Sequence, residues 1–220
     1  MSSTPLRRRP LALPPLFLLA ACRCTAAAGA PWLPPLAVGR AAPPRGALDG
    51  FAARSGSTPL ARYPGSTASS SSLPRGWLIN RSTRRIGSGR SDFGRASCAL
   101  GRLDCLELGW LTRSLQGDVL VIGSRQLGCV WLLLANRVLR RETSARVRAV
   151  TWGTTRHHVL VGEEQLSVRW DAPSDAVVFE VLSFSRPRHW LAWLSYPLVV
   201  AQQKRFARDA TAAMVQACAT

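Results

Sequence analysis

The sequence predicts an α+β domain, in which an antiparallel β-sheet wraps around a long C-terminal helix, following a disordered N-terminal targeting region. Three observations predict it. From Val119 to Phe184 the chain is a succession of short β-branched or aromatic-rich runs separated by turn residues. A stretch with apolar residues at helical spacing precedes those runs. After Pro187 a long helix-forming stretch closes the chain.

The elements follow in order. Arg7, Arg8 and Arg9 precede an apolar run from Leu11 to Ala21, and Ala26 and Ala28 stand at −3 and −1 of a cleavage site. That is the layout of a secretory signal over residues 1–28. The run contains Pro14 and Pro15 and is too short to span a bilayer, which takes about 20 residues. Residues 29–75 are rich in Pro, Ala, Arg and Ser, include the run Ser69–Ser72 and hold one acid, Asp49. Their apolar residues have no period, so a disordered, transit-peptide-like segment is expected. Signal plus transit-like leader points to a plastid behind an extra membrane. The alternatives are secretion and a lipid anchor on Cys22, which follows Leu19, Ala20 and Ala21.

Residues 76–220 form the expected folded domain, and about 145 residues suffice for one core. Gly76–Ile86 reads as extended, with Trp77 and Ile79 on one side. Ser91 or Asp92 would cap a helix running to about Leu108, with Phe93, Ala96, Leu100 and Leu103 on one face. Strands are expected at Val119–Ile122, Cys129–Leu134, Val147–Trp152, Gln165–Trp170 and Val177–Phe184. Pro187 suits the first turn of the last helix, where a missing N–H costs nothing, and Pro197 should kink or split it. Strand, helix, antiparallel run and closing helix is the order of the helix-grip (START/Bet v 1-like) fold, whose sheet and final helix enclose a cavity.

The formal charge is +17 and the isoelectric point about 11.5. Residues 1–90 hold 13 Arg against one acid, whereas residues 91–220 hold 16 basic and 11 acidic residues. The excess therefore sits mainly in the leader, and aromatic residues are not interleaved with the remaining cations, so nucleic acid is not an expected partner. Arg137, Arg140, Arg141, Arg146 and Arg148 oppose only Glu142, and Lys204, Arg205 and Arg208 lie on the last helix. These are either solvated charge or a surface for an anionic membrane. Trp190, Trp193 and Tyr196 read as core more readily than as lipid contacts. Cys98, Cys105, Cys129 and Cys218 have no metal-ligand spacing, so no zinc and no cofactor are expected; free, packed thiols are the simpler use, with disulfides through Cys129 or Cys218 open.

Glu163 and Glu164 are adjacent on a strand and must face opposite ways. Glu164 shares its side with Leu166, Val168 and Trp170, so it is placed inside, where an unpaired carboxyl has a raised pKa. Arg186 or His158 is the expected partner. The functional reading is a polar anchor or an acid–base; the structural one, an ion pair that sets strand register, is the commoner use of such a residue. His157 and His158 flank the preceding turn, where a backbone-bonded imidazole is the common case. Ser185, Arg186 and Pro187 are expected at a helix N-terminus, a place suited to an anion or to plain capping. Gly87, Ser88 and Gly89 lack the Lys of a phosphate loop, and no Gly-x-Ser-x-Gly is present.

Trp152, Gly153 and Thr154, then His158 four residues before Gly162, Glu163 and Glu164, then Phe184, Ser185, Arg186 and Pro187, with Pro197 beyond, form a specific set. Gly87, Gly89 and Phe93 add a Gly-x-Gly-x3-Phe upstream. The chain resembles the DUF1990 (UPF0548) family of uncharacterised proteins over roughly Gly76 to Ala217, departing from its pattern at Thr155 and His157. The resemblance implies a kind of domain and no particular reaction. The leading expectation is a non-enzymatic module binding an apolar or amphipathic small molecule, in a cavity lined by Leu166, Trp170, Phe179 and Val181 with Glu164 or Arg186. The alternatives are an enzyme with a His158–Glu164 acid–base pair, and a membrane-associated protein that docks or forms a pore. The sequence leaves the oligomeric state open.

Overall fold

The computed structural model describes residues 36–38, 41–126 and 128–219. The signal peptide over 1–28 and the lipidation site at Cys22 lie outside the described residues. β1 (Leu36–Val38) pairs with the start of β5 (Val130–Thr143), and α1 (Arg45–Ser55) follows. β2 (Leu78–Ser88) leads directly into α2 (Gly89–Arg102). An antiparallel meander then runs through β3 (Leu111–Gln116), β4 (Val119–Gln126), β5, β6 (Val147–Thr154), β7 (Leu160–Asp171) and β8 (Ala176–Pro187). α3 (Trp190–Leu194) and α4 (Tyr196–Ala219) close the chain. The strand order is β2-β8-β7-β6-β5-β4-β3, the first long strand lying beside the last, with α4 packed on the inner face. This is the helix-grip arrangement that the order of elements predicts.

Local chemistry sets the boundaries. α2 starts earlier than expected: Ser88, in extended conformation, is its N-cap, and Asp92 accepts the Ser88 N–H at 2.8 Å. It also stops earlier, because Leu103 turns left-handed at φ 58° and a 3-10 turn over Asp104–Leu106 replaces the expected last helical turn. β3 was not expected. It pairs with β4 across a two-residue turn whose first central residue, Gly117, has φ +59°. Pro187 is the last residue of β8, pairing with Leu160, so Ser185–Pro187 is strand and not a helix N-terminus. Pro197 does mark a split, at Ser195 between α3 and α4, and stands in the first turn of α4, where it removes no helical hydrogen bond.

The segment expected to be disordered over 29–75 instead contains β1, α1 and a continuous described stretch over 41–75. Leu48 and Ala52 of α1 pack on Val119, Val121 and Leu133, on the outer face of the sheet. Asp49, the lone acid of the first 90 residues, accepts the Ser114 hydroxyl at 2.5 Å. Two buried apolar residues on one short helix are too few to show a period in the sequence, yet they suffice to dock against a preformed sheet face.

The main core lies between the inner sheet face, α2 and the second half of α4. Leu166, Val168, Val177, Phe179 and Val181 have no exposed surface there, and Phe93, Leu100, Ala210 and Met214 meet them from the helices. Each large side chain so buried contributes about 1.5–3 kcal/mol.

Candidate functional site

The inner face is only half covered. α2 and the later turns of α4 pack on the end of the sheet around Leu166 and Phe179, while the opposite end has only the first turns of α4 above it. The space between is a cavity of about 440 Å³, lined on the sheet side by Ile122, Leu132, Leu134 and Trp152, and on the helix side by Leu198, Val199 and Phe206. Polar bonds hold α4 over it. Gln203 Nε2 donates to Ser185 Oγ at 2.8 Å, and Trp110 Nε1 donates to Asp209 Oδ2 at 3.0 Å. Gln203 Oε1 is buried without a hydrogen-bond partner among the described residues.

Glu164 lines the cavity, as strand alternation predicts. It is half-buried, and the largely apolar surroundings of the cavity desolvate its carboxyl. Burial pushes its pKa up to about 7, and a hydrogen bond from its cross-strand neighbour Trp152 moderates the rise. His158 lines the same cavity but makes no hydrogen bond to Glu164. Its Nδ1 lies 2.9 Å from the Leu160 N and 3.1 Å from the Leu160 carbonyl oxygen, so the backbone of Leu160 holds the ring whichever nitrogen carries the proton, and Nε2 is left unbonded by either contact. Burial holds its pKa down near 4. Cys105 lies in the same neighbourhood, its thiol pushed up to about 12 by burial, so it offers no thiolate at neutral pH.

Other expectations are corrected. Leu166, Phe179 and Val181 do not line the cavity; they are in the solid core, and Trp170 packs against that core's edge. Arg186 is exposed, stacked 4.7 Å over the Trp77 ring, and so partners neither Glu164 nor a helix terminus. The two residues' positions in the register explain this: Arg186 pairs with Val161, outside the row that Glu164 shares with Ser183. Cys98, Cys105, Cys129 and Cys218 are free thiols, the simpler use the sequence suggests, but only Cys105 and Cys218 are packed inside; Cys98 and Cys129 are exposed. His157 is exposed.

Glu163 points the other way, to the outer face, and is nonetheless buried at 6% exposure. The strap formed by residues 59–75 crosses that face and converges on its carboxylate. Thr67 donates through its backbone N–H at 2.8 Å and its hydroxyl at 2.5 Å, Ser66 through Oγ at 3.2 Å, and Tyr63 through its hydroxyl at 3.4 Å. The remaining motif residues serve this latch. Gly153 is the cross-strand partner of Glu163, and a Cβ there would meet the Tyr63 hydroxyl at 2.3 Å. Thr154 Oγ1 accepts the Gly162 N–H at 3.1 Å, and a Cβ on Gly162 would lie 2.0 Å from the Phe184 carbonyl oxygen. Phe184 meets Tyr63 and Trp77 edge-on. So Trp152 and Glu164 furnish the cavity wall, while Gly153, Glu163 and Phe184 anchor the strap. Sequence reasoning passed over Tyr63, Ser66 and Thr67; the available signal was Tyr63 itself, one of two tyrosines in the chain, inside a Pro- and Ser-rich stretch.

A family model described as "Domain of unknown function (DUF1990)" matches residues 62–213. A UPF0548 protein of Arabidopsis thaliana is 31% identical over 152 residues, which cover 64% of this chain and 73% of that protein. A UPF0548 protein of Dictyostelium discoideum is 30% identical over 150 residues, covering 60% of this chain and 69% of the relative. Among solved structures, a Thermus thermophilus protein superposes with a TM-score of 0.49 at 9% identity, over 64% of this chain and 97% of that one. The stretch matched by the family model opens one residue before Tyr63, so it takes in the strap as well as the cavity.

Proposed function

The chain belongs to the DUF1990 family, and from that premise we propose that it is a non-enzymatic binding module holding an apolar or amphipathic small molecule between the sheet and α4. The observation that carries this reading is the cavity: about 440 Å³, walled mainly by Leu, Ile, Val, Phe and Trp, with a few polar groups at fixed places. Ligand pockets have that size and that composition. The polar groups indicate the ligand's polar end. Glu164, titrating near neutrality, can donate or accept one hydrogen bond inside the cavity, and the neutral His158 ring offers Nε2 as donor or acceptor according to its tautomer. A hydroxyl, carbonyl or amine at one end of an otherwise apolar skeleton would meet both needs.

Acid–base chemistry is the second reading, and what favours it is that Glu164 and His158 line one cavity with Glu164 poised near neutral pH. His158 fits the role of a neutral hydrogen-bonding group better than that of base, since burial keeps it uncharged above about pH 4 and its Nδ1 is engaged by the Leu160 backbone. Native mass spectrometry of the protein purified from its own organism tests both. The expected result is a non-covalent small-molecule adduct in a fixed ratio that is released unchanged. A ligand that comes off chemically altered would select the enzyme. A protein that carries no adduct and fails to bind the uncharged dye N-phenyl-1-naphthylamine would sink the binding reading.

A further inference from the structure

The elbow made by α3, Ser195 and the first turn of α4 carries an apolar surface that is left uncovered among the described residues. Trp190 is 57% exposed, Trp193 61%, Leu194 77% and Leu198 62%. Their placement follows from the split helix. Ala192, at 4% exposure, faces down onto the protein, and the five-residue helix resting on it turns Trp190, Trp193 and Leu194 outward. The same elbow forms part of the cavity rim, for Ala192, Ser195 and Leu198 line the cavity. Four large apolar side chains grouped on one elbow exceed the scattered exposure of an ordinary surface.

The surroundings are cationic. From Val181 to Asp209 the chain has Arg186, Arg188, Lys204, Arg205 and Arg208 against one acid, Asp209, which pairs with Arg205 and Arg208. All five side chains are exposed, and Arg188 and Lys204 make no ion pair among the described residues. Among the described residues no helix is long and apolar enough to cross a membrane, so any membrane contact made by these helices is peripheral. Tryptophan at the level of the headgroups, leucine below it and Arg or Lys beside it is the composition that seats a protein on an anionic bilayer. A second copy of the chain suits the patch less well, because a symmetric pairing through it would bring Arg188 and Lys204 close to their own like charges.

We infer that this elbow is a membrane-docking surface: it seats on an anionic bilayer and sets the cavity rim against the lipid phase, from which an apolar ligand enters. The entry route rests on the binding proposal, whereas docking itself does not. Hydrogen-exchange mass spectrometry on the full chain tests it, with vesicles of phosphatidylcholine alone and of phosphatidylcholine mixed with phosphatidylglycerol. Because the readout is local, contacts made by the N-terminal residues do not confuse it. The expected result is protection over residues 188–200 on the mixed vesicles. That protection should be lost in W193S/L194S, and in R188E/K204E partitioning should fall on the order of tenfold or more. Neither pair lines the cavity, so both variants should bind N-phenyl-1-naphthylamine in buffer as the parent does. Absent protection over 188–200, or protection unchanged in W193S/L194S, overturns the inference. A dimer of the parent chain that W193S/L194S converts to monomer, with no vesicle effect, assigns the patch to a second copy and overturns it too. Loss of dye binding by the parent with protection intact would remove the cavity proposal and leave docking standing.

Discussion

Two neighbouring carboxylates on β7 meet opposite fates because a strand turns successive side chains to opposite faces. Glu163 gains four donors, whereas Glu164 gains one and an apolar wall. The pH dependence follows from the direction of the Glu164 shift. Its folded pKa, about 7, lies above the ordinary 4.5, so the native state holds this proton more tightly than the unfolded chain does. Below 4.5 both states are protonated and there is no penalty; as pH rises through the window to 7 the native state loses up to about 3 kcal/mol. In E164Q that loss is absent. Denaturant titrations at several pH values should therefore show the variant gaining on the parent between pH 4.5 and 7, and level differences across that window would contradict the burial of this carboxyl. The two motif glycines differ in kind. Ala at Gly162 would meet the Phe184 carbonyl and the Ser185 Cα, both main-chain atoms in a paired strand that cannot yield, at φ +155° besides. We expect G162A to cost about 3 kcal/mol. Ala at Gly153 would meet the end of the Tyr63 side chain, which can move, so G153A should cost less while displacing Tyr63 from Glu163. Calorimetry of the pair checks the order.

The strap is the element whose stability depends most on one residue. Removing the Glu163 acceptor leaves the Thr67 N–H and three hydroxyls without their common partner, and each buried unpaired donor costs about 1–3 kcal/mol. E163A should therefore release the strap before it unfolds the sheet, seen as faster tryptic cleavage after Arg62 and Arg75, both exposed, at unchanged β-sheet signal. Equal cleavage rates would mean that Trp77 and Phe184 alone hold the segment. At this scale the sequence was legible where the periodicity was strong. The β6–β8 meander and the α2 face were read from alternation and i, i+4 spacing. β3 was not, because Thr112, Arg113, Ser114 and Gln116 give it too little apolar weight. α1 was not, because its docking depends on a sheet face formed by residues seventy positions away.

The molecule divides its inner face into a packed end and a hollow end, and no local pattern in the chain says which end is which. Alternation put Leu166, Phe179 and Val181 inside correctly; only the position of α2 shows that they meet helix rather than void. Hence the cavity side of Glu164 was legible, while the identity of its wall was not. Leu134 faces the hollow, so L134W should fill it, abolishing N-phenyl-1-naphthylamine binding while leaving the melting temperature within a few degrees of the parent. A large drop in melting temperature would mean that the space is tighter than the geometry indicates.

The short strand Leu36–Val38 lies along the side of Val130–Leu132 that β4 does not occupy. Proteolytic trimming past Val38 would strip that stretch and leave its amides and carbonyls open to any extended chain nearby. The position of any such cut would govern self-association: one upstream of Leu36 would leave the sheet margin shielded, and one downstream of Val38 would make it adhesive.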